Sequence, residues 1–156
     1  MHDTSTAAGR LEAIWIKRVR RGPMDARPSA VTVAGSGLQG NVEQKGKRQV
    51  TILDAARWAD VEAELGREVD PRTRRANLMV SGIDLEQSRG KTLHVGACRI
   101  AILGETRPCR LMDDAEPGLQ QALDPHWRAG AYGQILDDAE IHVGDAVRLV
   151  DKPKGD

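Results

Sequence analysis

Short runs of apolar and β-branched residues recur along this chain, and glycine or proline interrupts nearly all of them. GRLEAIWIKRV (Gly9 to Val19), AVTVA (Ala30 to Ala34), RQVTIL (Arg48 to Leu53), LMV after Arg75, TLHV and CRIAILGE each have strand length and composition. AYGQILDDAEIHVGDAVRLV holds two more strands around a DDAEIHVGD connection. Between these runs lie breakers: Gly22, Pro23 and Pro28 in RRGPMDARPS, the loop GSGLQGNVEQKGK, and Gly82, Gly90 and Gly96. Only two segments read as helices. Asp54 is placed to cap a helix over Ala55–Leu65, with Trp58, Val61 and Leu65 in one apolar stripe and Gly66 as its stop. Pro117 opens a short one that runs to Leu123.

Strands that do not alternate regularly with helices exclude a doubly wound sheet and predict a mainly β (α+β) fold, a β-rich barrel or sandwich with a few short helices. The 156 residues suit one domain, with a core over about 9–150 and short flexible ends. Phe is absent, so Val, Ile, Leu and Ala must build that core, with the three Trp as larger fillers.

Lysine plus arginine equal aspartate plus glutamate at 23 each, so the bulk charge does not call for nucleic acid or an anionic membrane. No apolar run reaches the roughly 18 residues of a membrane span, and MHDTSTAAGRLEAIW has no secretory-signal pattern. Two cysteines are too few for a disulfide framework, and a reducing cytoplasm is the expected compartment.

Gly35, Gly37 and Gly40 spell G-x-G-x-x-G after a strand. A dinucleotide site needs a helix N-terminus directly behind the glycines, whereas here a polar loop and another strand follow. What remains is a loop whose backbone N–H groups could approach an anion. Arg72, Arg74 and Arg75 lead into Asn77 and the run LMV, and Lys47 and Arg48 stand in the same relation to VTIL. Such clusters commonly form a solvated face. An arginine anchored at a strand mouth, however, can grip phosphate or carboxylate with paired hydrogen bonds, so two basic mouths could converge on one anion.

The two cysteines differ. Cys98 shares a strand face with Ile100 and Ile102 and reads as a small core hydrophobe. Cys109, in GETRPCRLMDD, follows Pro108 and lies between Arg107 and Arg110, neighbours that favour the thiolate. A short helix starting near it would push the same way. The residues alone leave three readings open: a reactive thiol, an ordinary loop cysteine, or a disulfide with Cys98. His94, His126 and His142 show no short spacing to either cysteine that would suggest a zinc site. No serine sits in a nucleophile elbow.

Taken in order, GLQGN, KRQVTIL, RANLMV with GIDL, LHVG, TRPC at Cys109, PGLQQAL, AYGQIL and IHVGDAVRLV resemble the MOSC domain family, named after the C-terminal domain of molybdenum cofactor sulfurase. The resemblance implies a β-barrel-like fold and a pocket for molybdenum cofactor, a pterin bearing a dithiolene and a phosphate. It implies that Cys109 is a thiolate ligand to molybdenum, which suits a soft-ligand site, and that Arg75 and Asn77, matching the family's Arg-x-Asn, lie at the cofactor. Lys47 and Arg48 are assigned beside them around the phosphate, and Arg107 and Arg110 join the binding set as the cations flanking the thiol. The loop departs from the family's usual Gly-Asp: here it is Gly40-Asn41.

These residues hold no counterpart of the pyridoxal phosphate domain of the sulfurases or of a ferredoxin domain. The resemblance, which extends to the mitochondrial amidoxime-reducing component, implies reduction of N-hydroxylated compounds, and the missing domains imply a separate electron donor such as a flavoprotein. The alternatives are a persulfide carrier that takes sulfur on Cys109 from a cysteine desulfurase, or cofactor binding without turnover.

Overall fold

The computed structural model describes residues 9–42, 44, 46–108 and 110–151. Cys109 and the expected flexible ends, 1–8 and 152–156, lie outside the described residues. Eleven strands are present among those described: β1 Gly9–Lys17, β2 Met24–Arg27, β3 Ser29–Val33, β4 Gly37–Leu38, β5 Val50–Asp54, β6 Leu78–Ser81, β7 Thr92–Val95, β8 Cys98–Glu105, β9 Ala131–Ile135, β10 Ala139–His142 and β11 Ala146–Val150. Three described helices join them, α1 Ala55–Leu65, α2 Leu111–Ala115 and α3 Leu119–Leu123, with a 3-10 turn over Pro71–Arg74.

The principal sheet runs β11-β7-β8-β9-β5-β6-β1, and a further β11–β1 pairing closes it into a seven-strand barrel. Gly9 opposes Val147 and Arg10 opposes Ala146 at that closure. β2 extends the same side of β1, and β10, β3 and β4 form a small second sheet. Among the described pairings only β5–β6 is parallel. A parallel pair needs a crossover, and α1 with the 3-10 turn supplies it. Asp54 caps α1 by accepting from the Ala56 N–H at 3.0 Å, and Gly66 ends it in the left-handed conformation that glycine adopts without strain.

Strand alternation divides the apolar side chains into two clusters. Val50, Ile52, Leu78, Val80, Leu93, Ile100, Ile102 and Ala131 point into the barrel. Leu53, with Met79 packed beside it, faces outward onto Trp58, Val61, Leu119, Ala122 and Leu123. All three tryptophans are buried, as an interior without Phe requires.

The strand-rich fold and the bounds of α1 agree with the sequence reading; several details do not. RRGPMDARPS contains β2, and the glycine loop contains β4. The DDAEIHVGD connection is itself largely β10. The helix expected from Pro117 is α3, which begins at Leu119 with Gly118 as its cap residue, and α2 precedes it as a third helix.

Candidate functional site

Because β5 and β6 are parallel, both begin at the same end of the barrel. Their register pairs Ile52 with Leu78. Carried back toward the N-termini, that offset sets 48–49 against 74–75. β1 is antiparallel to β6, with Ile14 opposite Leu78, so the C-terminal end of β1 arrives at the same place. These three strand ends, together with the loop after β4, wall a cleft of about 180 Å³ lined by Lys17, Met24, Asn41, Val42, Gln44, Arg48, Gln49, Thr51, Arg74, Arg75 and Asn77. Four of those side chains are basic, and none of the described ones is a carboxylate. A shallower depression of about 250 Å³ shares Met24 and Arg75 with it and is completed by Pro23, Asp70, Arg72 and Thr73.

Each cleft arginine has an uncharged anchor. Arg75 Nη2 donates to Gly22 O, and Arg74 Nε donates to Ala129 O at 2.8 Å. The Arg48 guanidinium lies 5.1 Å from the centroid of the Tyr132 ring, a cation–π distance. Arg75 is also a rare non-glycine residue with φ at +63°, where its N–H closes the 3-10 turn on Arg72 O. Such a backbone costs on the order of 1 kcal/mol and concentrates at functional sites.

Asn77 joins the strands beneath. Its Oδ1 accepts from the Thr51 N–H at 3.1 Å and from the Thr51 hydroxyl at 3.3 Å. Its Nδ2 donates to Trp15 O at 3.3 Å and to Asn41 Oδ1 at 3.2 Å. Nearly buried and fully bonded, Asn77 fixes the floor of the cleft and leaves ligand contact chiefly to the cations.

The structure thus brings together Arg48, Arg75 and Asn77 of the sequence-derived set. Lys47 is exposed in the turn before β5 and is absent from the cleft wall. Arg107 and Arg110 are exposed too. Arg107 Nη2 lies 3.7 Å from Asp124 Oδ1, Arg110 sits at the start of α2, and neither lines the cleft. α2 does pack against the 3-10 turn that carries Arg74. The assignment of Cys109 as metal ligand lies outside the described residues.

Cys98 is a buried free thiol whose pKa is pushed up by burial. It is therefore not half of a disulfide, and its burial disfavours the thiolate. The glycine loop is not an open anion nest: the N–H groups of Gly35, Ser36, Gln39 and Asn41 donate to Ile135, Val33, Val31 and Leu38 carbonyls.

Sequence reasoning missed Lys17, Gln44, Gln49, Thr51 and, as site residues, Asn41 and Arg74. For Arg74 the signal was present in the basic cluster. For Lys17 the missing information was the pairing of β1 with β6, which no local pattern records.

Among the described residues no helix is long and apolar enough to cross a membrane. Comparison with solved structures finds the YuaD protein of Bacillus subtilis, at a TM-score of 0.77 and 17% identity, covering 94% of this chain and 97% of that one. YiiM of Geobacillus stearothermophilus follows at 0.72 and 15%, covering 94% and 77%. YiiM of Escherichia coli gives 0.68 and 13%, covering 92% and 71%. These likenesses show the fold. A sequence comparison with curated proteins returns no match. The MOSC domain pattern matches residues 30–148, which include β3 through most of β11 and nearly all of the cleft, so the chain belongs to the MOSC domain family, a family associated with molybdenum cofactor.

Proposed function

We propose that this protein binds molybdenum cofactor, with the cofactor's phosphate in the cleft of Lys17, Arg48, Arg74 and Arg75 and the Cys109 thiolate as a ligand to the metal. We further propose that, with a separate electron donor, it reduces N-hydroxylated compounds. The observation that carries this reading is the composition of the cleft: four basic side chains and no described carboxylate, at the one barrel end where the mouths of two parallel strands meet. Arg75, anchored by a carbonyl oxygen, and Arg48, beside an aromatic face, suit a doubly charged, multi-acceptor group, and phosphate is such a group. The adjoining depression at Pro23, Met24 and Thr73 gives the organic part of a ligand room beside its anionic end. When bound, molybdenum would supply two-electron redox chemistry, and the chain would supply ligation, charge and orientation.

The test is to produce the protein in a host competent for the cofactor and to measure molybdenum and pterin in wild type, Cys109→Ala and Arg75→Ala. Stoichiometric cofactor in wild type is expected, with metal lost from Cys109→Ala and pterin occupancy reduced in Arg75→Ala. Turnover of an N-hydroxylated substrate with a flavoprotein donor would then establish the reductase. Full metal content in Cys109→Ala would overturn the ligand assignment. A persulfide mass shift on Cys109 without metal would identify a sulfur carrier supplied by a desulfurase.

A further inference from the structure

The loop between β4 and β5 contains a directional chain of amides that ends in the cleft. Gln44 is clamped on Leu38: its Oε1 accepts from the Leu38 N–H at 3.1 Å, and its Nε2 donates to Leu38 O at 2.9 Å. Backbone groups have fixed polarity, so the Gln44 amide cannot be turned around without losing both bonds. The same Oε1 accepts from Asn41 Nδ2 at 3.1 Å. Asn41 is anchored at its other end by the Lys17 N–H, which donates to Oδ1 at 2.8 Å, and Asn77 Nδ2 donates to that oxygen at 3.2 Å. Asn41 Nδ2 also reaches Val42 O at 3.3 Å. Position 41 therefore faces two donors on one side and two acceptors on the other, and a primary amide satisfies all four.

Gly37 makes the clamp possible. A Cβ built there would stand 2.3 Å from the Gln44 amide carbon, at a φ of +144°. This accounts for the middle glycine of the G-x-G-x-x-G stretch without any nucleotide.

We propose that Gln44 is a specificity-determining residue of the cleft: by accepting only an amide at position 41, it keeps the cleft floor neutral beneath its cations and fits the site to a phosphate-type dianion. An aspartate at 41 would set a carboxylate oxygen against Gln44 Oε1 and Val42 O, acceptor against acceptor, and would add a negative charge to the wall. The charged groups that face position 41 across the cleft, among the described residues, are Lys17 from β1, Arg48 from the approach to β5, and Arg74 and Arg75 from the approach to β6. The inference rests on the reading of the cleft as an anion site.

The test uses the full chain and sulfate, a dianion that does not titrate between about pH 4.5 and 8, where a free aspartate with a pKa of about 3.9 still changes its protonation at the acid end. Sulfate affinity and thermal midpoint are measured for wild type, Asn41→Asp, Gln44→Met and Asn41→Asp/Gln44→Met. Asn41→Asp should weaken sulfate binding by about tenfold or more at neutral pH, as a charge placed within the site does, and the deficit should narrow toward pH 4.5. Asn41→Asp should also lower the midpoint more in the wild-type background than in the Gln44→Met background, a coupling expected of groups in contact. Should Asn41→Asp fail to fold, folding of the double variant would carry the same meaning. Sulfate binding to Asn41→Asp as tight as wild type, additive midpoints, or failure of both aspartate variants to fold would overturn the role of Gln44 and leave the anion cleft standing. Absence of sulfate binding in wild type would overturn the anion cleft, and this inference with it.

Discussion

At the start of β8, Arg99 and Asp137 show how one residue pair ties a strand to a distant loop. Arg99 Nε and its backbone N–H each donate to Asp137 Oδ2 at 2.9 Å, and Nη2 donates to Oδ1 at 3.0 Å. The guanidinium hydrogen bonds hold the Asp137 carboxyl below the usual carboxylate range. The folded chain then binds fewer protons at this group than the unfolded chain does. Its contribution is present above the unfolded value of about 3.9 and is lost as pH falls through the lower folded value. The pair is largely solvent-exposed, so the effect is small and screened by salt. At low ionic strength Asp137→Asn should melt slightly below wild type at pH 7, and the gap should close as pH is taken below about 4. A gap that persists at pH 3 would assign the loss to packing instead. The pairing could not be seen in the sequence, since 38 residues separate the partners. Cys98 could, because its alternation with Ile100 and Ile102 is local. The left-handed backbone of Arg75 left no trace, since nothing in arginine announces it; the 3-10 turn before it imposes that geometry.

Among the elements, α1 was legible from end to end because each of its signals is local: the Asp54 cap, the Trp58–Val61 stripe and the Gly66 stop. β2, β4 and β10 were not. β4 has only two residues, and β2 (MDAR) and β10 (AEIH) lack the apolar, β-branched run that marks the equally short β6 and β7; all three pair with β1 or β3. β9 shows a further constraint that composition hides. It lies between β5 and β8, and a Cβ at Gly133 would stand 2.2 Å from Ala101 O. Gly133 has no positive φ, so its requirement is purely one of space. Gly133→Ala should cost about 2–3 kcal/mol, at the upper end of overpacking, because a backbone oxygen in a paired strand cannot step aside. Gly35→Ala has a φ of +74° but nothing within 4 Å, and should cost only the roughly 1–2 kcal/mol of left-handed backbone. Denaturant titration, with unchanged slope and shifted midpoint, measures both. A Gly133→Ala no worse than Gly35→Ala would mean that β9 shifts to make room.

For the molecule as a whole, the site depends on pairings between segments far apart in sequence. The two basic strand mouths were each visible, and so was the prospect that they might share an anion. That they do meet follows from the parallel β5–β6 pairing, and Lys17 joins them only through β1. β1 thus serves two purposes at its two ends. Gly9 and Arg10 close the barrel on β11, while Lys17 reaches the cleft. At a strand rise of roughly 3.3 Å per residue, Gly9 and Lys17 stand about 26 Å apart. A Cβ at Gly9 would meet Ser81 O at 2.6 Å and Val147 O at 2.9 Å, backbone atoms of both neighbouring strands, so a larger residue there forces the seam apart. Gly9→Val should therefore lower the denaturation midpoint and speed hydrogen exchange in β11 and β7, the strands that depend on closure. The folded fraction should still bind sulfate within about twofold of wild type, because β1 near Lys17 remains fixed by β2 and by the side-chain oxygen Oδ1 of Asn41, with β6 holding it up to Ile14. Loss of anion binding in a Gly9→Val protein that is demonstrably folded would show that the two barrel ends are coupled and that the cleft draws its shape from the closed ring rather than from its own three strands.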